Sequence, residues 1–370
     1  MQGLRNGQHQ AFTLIEMLVT ISVISLLIAL LLPAVQSARE SARRLRCASQ
    51  MAQIGIAVQN YASITAHFPP SCISSNEPYP YPSSMTGISI RASMFTRILP
   101  QLEQASLFDS INFHCSIDEP ADSPHEGTGL IGEFANSTAH STSLQVLLCP
   151  SDGAPMPIKS AGTNIRVNEG ALPDSGISTP EKLSGPSGVV FVFVRDGLTG
   201  GFRSYRSSLV SSVTDGLSNT VLMSEKLRGH EFRNPADAIS RFDARRHCAM
   251  LVEWPYWRYF DSDVLVSVCQ DPATTVEGVN TGLGISWMVG TLVHANYNHV
   301  SPPNPAYADC SHRVFNRPLG NFAARSQHPG GVNVGMADGS VRFVRNGIAL
   351  PVWRAIATKG GGEVIPSGEF

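Results

Sequence analysis

The sequence predicts an α+β protein, one long N-terminal helix packed on an antiparallel, β-rich globular body. Three observations predict it. Residues 12–32 are an apolar run of 21 carrying one charge, Glu16. Beyond Pro33, apolar residues step by three and four as far as Tyr61, the spacing of a helix face. From residue 189 onward the text turns β-rich and includes VNVGMADGSVRFV, residues 332–344, the clearest hairpin in the chain.

The 370 residues leave room for one large domain or two smaller ones, and 42% hydrophobic with 15% charged residues is an ordinary globular composition. Lys+Arg 27 against Asp+Glu 29 argues against a nucleic-acid binder working through a broad basic surface, so no nucleic-acid partner is expected. The seven cysteines show no C-x-x-C pair and no zinc-ligand spacing. If the body lies outside the cytoplasm some of them pair, and the odd number leaves one out. Cys248 with Cys269 and Cys47 with Cys72 are local candidates, without spacing deciding between pairings.

Twenty-one helical residues rise about 31 Å, the thickness of a bilayer core. A secretory signal peptide has a shorter apolar region with small-residue cleavage after it, whereas here the small residue, Ala11, comes before a longer run. No other stretch is long and apolar enough to span, which predicts a single pass at 12–33 and a large soluble body. Thr13, Glu16 and Thr20 share one polar stripe, and Ser22, Ser25 and Ala29 form a small-residue face opposite. Small faces let membrane helices approach closely and polar groups hold them together, so the helix is built to pack against other helices.

Pro33 interrupts this run and an amphipathic continuation follows, residues 34–62. Val35, Ala38, Ala42, Leu45, Ser49, Ala52 and Ile56 make one apolar-to-small stripe. From Cys47 a second stripe runs through Met51, Ile54, Val58 and Tyr61, while Arg39, Arg43 and Arg46 share a basic face. Two apolar faces call for two partners, the protein's own body and a neighbouring copy. The whole element is on the order of 75 Å long.

The body, residues 63–370, opens with the Pro/Ser/Tyr-rich loop 67–85. RILPQLEQASLFDSIN (97–112) reads as a short amphipathic helix with Ile98, Leu102 and Leu107 inward. Residues 114–143 are loop-like, SLQVLLCPSDG (143–153) reads as a buried strand, and 171–188 is again Gly/Pro/Ser-rich. GVVFVFV and SSLVSSVTDGLSNTVLMSE follow as β-rich text. In the hairpin, Val332, Val334 and Met336 alternate before an Asp338-Gly339 turn, with Val341 and Phe343 after it. Residues 226–327 are the least readable, and 230–325 look like an elaboration particular to this chain.

A-F-T-L-I-E followed by an apolar run ending at proline resembles the cleavage and methylation segment of type IV prepilins and pseudopilins. The resemblance implies a leader of residues 1–11, removed by a prepilin peptidase that cuts between Ala11 and Phe12 and methylates the new amine. It implies that Glu16, with Thr13, Thr20 and Pro33, serves assembly with like or related subunits, the Glu pairing with a neighbour's N-terminal amine. Ala11 stands where these segments usually carry Gly. Arg39, Arg43, Arg44 and Arg46 follow the apolar run while only Arg5 precedes it. Counted alone, these charges place the C-terminal side in the cytoplasm; the resemblance implies a body on the periplasmic side or at the cell surface. ARESARRLRC, QIGIAVQNY, FPP, ILPQLEQ, LLCPSD, TDGLSNTVLMSE, ARSQHPGGVNVGMADGSVRFV and WRAIATKGGGE are similar to a large bacterial prepilin-like family of unknown function. Its C-terminal His-x9-Asp-Gly signature is here His328, Gly330, Gly331, Asp338 and Gly339.

Chemistry is thin. His328 and its glycines are read as a turn with the imidazole donating to a carbonyl or to the Asp338 turn. Asp215, Glu225 and Asp338 are candidate calcium ligands, without any EF-hand spacing, and no other cofactor is expected. Cys149 has no recognisable base, and His294 with His299 lacks a third metal ligand. No hydrolase, zinc-protease or phosphate-loop motif is present. The leading expectation is a non-enzymatic, membrane-anchored structural subunit. A tethered module binding a solute, glycan or calcium is the second, and an enzyme using His328 and Asp338 the third.

Overall fold

The computed structural model describes residues 14–71, 92–113, 117, 136–155, 160–171, 188–189, 194–195, 202–203, 208–230, 240–251, 261–271, 276–312, 319–363, 365 and 368. Ala11, Phe12, Thr13, Cys72, Cys115 and most of 67–85, 114–143 and 171–188 lie outside them. The chain divides into two compact units, Met1–Leu45 and Arg46–Phe370.

Helix α1 spans Leu14–Thr65. Among the described residues it is the one helix long and apolar enough to cross a membrane, and none of its apolar window is buried. Within the first unit Thr20 and Ser22 turn their hydroxyls back onto the carbonyls of Met17 and Leu18, at 2.8 and 2.7 Å. That is how a hydroxyl enters hydrocarbon without an orphaned donor. The interruption expected at Pro33 does not occur, because the proline lies inside a continuous helix. It removes one donor from the ladder without ending the helix.

In the second unit, Cys47, Met51, Ile54 and Val58 are buried and Tyr61 packs against the same core. This is the second stripe of the sequence reading. The other stripe faces out: Ser49 and Ile56 are exposed and Ala52 half-buried.

The core faces a five-stranded sheet of order β11-β10-β4-β1-β7. Its strands are β1 (Ile165–Asn168), β4 (Val221–Glu225), β7 (Asn296–Tyr297), β10 (Gly331–Met336) and β11 (Val341–Arg345). β10 pairs antiparallel with β11 and β4, and β4 with β1, but β1 and β7 run parallel. Val332, Val334 and Met336 of β10 belong to a core with Trp353, on helix α6 (Leu350–Ala355), the sixth α-helix among the described residues, and with Ile356 just after it. Met51 and Ile54 belong to another core, with Val167, Leu222 and Met223. The sheet is therefore covered on both faces.

A second sheet, β6-β5-β8-β9, comprises β5 (Cys248–Leu251), β6 (Val276–Asn280), β8 (Asp309–His312) and β9 (Leu319–Asn321). β5 and β8 are parallel. The body is β-rich as expected, but its sheets are mixed rather than antiparallel, since long connections permit parallel partners. One such connection contains helix α5 (Ser262–Gln270), N-capped by the Asp261 carboxylate on the amides of Asp263 and Val264.

Three local expectations are corrected. Residues 143–153 hold no strand but a 3₁₀ turn, Gln145–Leu147, because a short apolar run has no period to distinguish the two. The helix expected over 97–112 divides into Pro100–Leu102 and Ala105–Asp109 at Glu103, which takes φ 60°. A short helix, Ser137–Ser141, occupies the end of the expected loop. The disulfides also differ from the local candidates: among the described residues they are Cys47 with Cys149 and Cys269 with Cys310, with Cys248 buried and unpaired. Both bonds join residues that only the folded chain brings together.

His299 is a structural residue. Its Nδ1 donates to the Trp353 carbonyl at 2.7 Å and its Nε2 accepts from the Tyr297 hydroxyl at 2.8 Å. The ring stacks on Trp353 with centroids 3.7 Å apart. Burial lowers its pKa to about 3, against the carbonyl's opposite pull. Unfolded histidine takes up its proton near pH 6.5, so between about 6.5 and 3 the unfolded chain binds more protons. Stability is thus expected to fall as pH drops through that window. His247, lowered to about 4, adds to the fall. The thermal midpoint followed from pH 7 to pH 4 should decline less steeply in His299→Phe than in the unaltered chain; equal slopes contradict the assignment.

Candidate functional site

The His-x9-Asp-Gly segment lies against α1. β10 alternates Val332, Val334 and Met336 on the Trp353 side with Asn333 and Gly335 on the other. A Cβ at Gly335 would meet Met51 at 3.1 Å, so glycine lets the helix side chain down onto the strand. At the hairpin, Gly339 takes φ +89°, and a Cβ on Gly55 of α1 would strike its Cα at 2.8 Å and its carbonyl oxygen at 2.9 Å. Gln59 donates to the Ala337 carbonyl beside it. The helix crosses the turn backbone to backbone.

At the other end of the same segment stands His328. Its Nε2 is 3.1 Å from Glu225 Oε1 and 3.6 Å from Cys149 Sγ. Cys149 is bonded to Cys47 of α1, so the helix is stapled where the histidine stands. Glu225, at the end of β4, also accepts from the Asn333 amide at 3.0 Å and from its Nδ2 at 2.8 Å. Glu225, His328, Cys47 and Cys149 are all buried, and their potential ligand atoms lie within 4.8 Å of one another.

Beyond Glu225 the buried charges continue. Lys226 pairs with Asp309, which also accepts from Arg325 Nε and Nη2 at 3.1 Å each. Burial pulls the Lys226 ammonium down, with Asp309 opposing. Burial alone raises the Asp309 pKa, but Lys226 and Arg325 outweigh it and hold the carboxyl below its usual range. Asp152, in the LLCPSD segment, accepts from Arg246 Nη1 and Asn164 Nδ2 at 2.5 Å each and from the Arg228 amide at 3.1 Å. It ties three segments of chain together. The sequence reads there as a buried strand, and the cationic partners at 228 and 246 carry no recognisable spacing.

The residues singled out by sequence are thus dispersed. His328 meets Glu225 and the disulfide, not Asp338. Asp338 is exposed and accepts from the Ser340 amide and hydroxyl at 2.9 and 2.7 Å, a local turn contact. Asp215 accepts from the amides of Gly361 and Gly362 at 2.7 and 3.0 Å and closes the C-terminal loop. Among the described residues Asp215, Glu225 and Asp338 form no common ligand set, because each faces a different segment. Gly330, φ +86°, turns the chain after His328, and Gly331 opens β10. Glu16 and Thr20 are exposed on α1, as is Pro33. Ala11, Phe12 and Thr13 lie outside the described residues.

The family described as "Protein of unknown function (DUF1559)" matches residues 36–350. The prokaryotic N-terminal methylation motif matches residues 7–32. No curated protein and no solved structure matches the chain.

A methyl group at the helix crossing tests the role of the glycines. Gly55→Ala should destabilise the body by about 1–3 kcal/mol, the cost of overpacking a close contact. Ser49→Ala, on the exposed side of the same helix, should stay within about 0.5 kcal/mol. Denaturant unfolding of the two variants reads the difference, and equal midpoints would sink the assignment.

Proposed function

Because the chain belongs to the family of unknown function DUF1559 and carries the N-terminal methylation motif, we propose that it is an assembling, pilin-like structural subunit rather than an enzyme. The motif and the apolar helix make it a type IV pilin-like, membrane-anchored protein with one candidate span. In the proposed route a prepilin peptidase cuts between Ala11 and Phe12 and methylates the Phe12 amine. Residues 12–33 then hold the chain in the inner membrane, with the body on the periplasmic side or at the cell surface. Two disulfides support that side, since they persist in oxidising compartments.

One observation carries the assembly reading: the two apolar stripes of α1 meet different fates. Cys47, Met51, Ile54 and Val58 are buried in the chain's own body. Leu45 and Ile56, on the other stripe, remain 67% and 60% exposed. A helix serving only as an anchor has no use for a second apolar stripe beyond the membrane. His328, the best candidate for catalysis by sequence, is engaged with Glu225 and the disulfide, which fits a structural role.

Two measurements follow. Protein isolated from membranes should have the mass of a chain beginning at N-methylated Phe12; an intact Met1, or an unmodified cut elsewhere, contradicts processing. Glu16→Ala and Ile56→Asp should each abolish cross-linking between subunits while leaving membrane retention and folding intact. Undiminished cross-linking in both would leave the helix as an anchor alone.

A further inference from the structure

A disulfide needs no polar company, yet a buried carboxylate and a buried imidazole stand against the Cys47–Cys149 bond. Among the described residues no comparable set surrounds the Cys269–Cys310 bond. Burying such groups is costly unless they are paired and hydrogen-bonded, as Glu225 is with His328 and Asn333. We infer that, when Cys47 and Cys149 are thiols, they join His328 and Glu225 in one tetrahedral zinc site, so that the helix stays fastened by a disulfide in the oxidised chain and by a metal ion in the reduced one.

The distances carry this. Zinc takes nitrogen and oxygen at about 2.0–2.1 Å and sulfur at about 2.3 Å, so a tetrahedron has N–O edges of about 3.4 Å and N–S edges of about 3.6 Å. His328 Nε2 stands 3.1 Å from Glu225 Oε1 and 3.6 Å from Cys149 Sγ. Two edges of the tetrahedron are therefore already in place. All the other pairs of ligand atoms lie within 4.8 Å, and the sulfurs part to about 3.8 Å once their bond is broken. Asn333 fixes both carboxylate oxygens through its amide and Nδ2, the kind of outer hydrogen bond that orients a metal-bound carboxylate. Two thiolates, an imidazole and a carboxylate suit zinc, whereas calcium takes oxygen alone.

The chemistry balances. A dithiol reductant gives two electrons and two protons to the Cys47–Cys149 bond and becomes a disulfide itself. Zinc then replaces the two thiol protons, which leave to solvent, and the Nε2 proton that His328 gives to Glu225 passes to Nδ1, so that the neutral ring ligates through Nε2.

The test uses the full chain in detergent micelles, reduced with a phosphine and titrated with cobalt(II), then zinc(II). One tetrahedral cobalt–thiolate absorption per chain is expected, displaced by zinc, with two protons released. Alkylation and mass spectrometry on the unaltered reduced chain should show zinc protecting Cys47 and Cys149. Cys149→Ser should lose the absorption, and Glu225→Gln should bind zinc at least tenfold more weakly. No absorption, protection of a different pair, equal alkylation of Cys47 and Cys149 with and without zinc, or unweakened zinc binding in Glu225→Gln overturns the proposal. Should Cys149→Ser fail to fold, the protection map of the unaltered chain decides.

Discussion

Gly55 of α1 lies so close to the Gly339 turn that one added methyl would strike its backbone, and the arrangement of the body follows from that approach. A helix brought this near a hairpin cannot tolerate large side chains between them, so the strand beneath it carries Asn333 and Gly335 where it faces the helix. The bulky members of the same strand, Val332, Val334 and Met336, are confined to the opposite side and packed with Trp353. The signature text is thus a strand written for two different neighbours. Its turn meets the helix backbone and its leading histidine meets the staple.

The helix in turn is divided among environments. Each buried apolar side chain of the Met51, Ile54 and Val58 stripe contributes about 1.5–3 kcal/mol, and the Cys47–Cys149 bond, across 102 residues, about 4–5 kcal/mol in the loop-entropy account. Buried polar groups are satisfied in triads: Glu225 with His328 and Asn333, Asp309 with Lys226 and Arg325, Asp152 with Arg246 and Asn164. Removing any single member leaves its partners charged or unpaired in a dry interior, which makes these networks fix one arrangement of strands and loops.

Much of this was legible before folding, and the reasons differ by element. The long helix is visible because 21 apolar residues and a stepped stripe have a period; the hairpin is visible because alternation ends on Asp-Gly. Residues 143–153 misled because a short apolar run fits a strand and a 3₁₀ turn equally. Glu225, His328 and Cys149 were each noticed separately, but nothing in their spacing joins positions 47, 149, 225 and 328. The same holds for Asp152, whose arginines arrive from other segments. Disulfide partners failed for this reason too: the local candidates were Cys72 for Cys47 and Cys248 for Cys269, whereas tertiary proximity joins Cys47 to Cys149 and Cys269 to Cys310.

The staple also decides how the body bears load. Tension drawn along α1 from its N-terminal side reaches Cys47 before Met51, Ile54 or Val58. A covalent bond at that position passes the pull directly to Cys149, in the chain beneath the helix. The apolar contacts farther along are then loaded together, in shear, instead of being unzipped one turn at a time. A subunit pulled by its neighbours would yield only when a bond breaks or the whole interface slides.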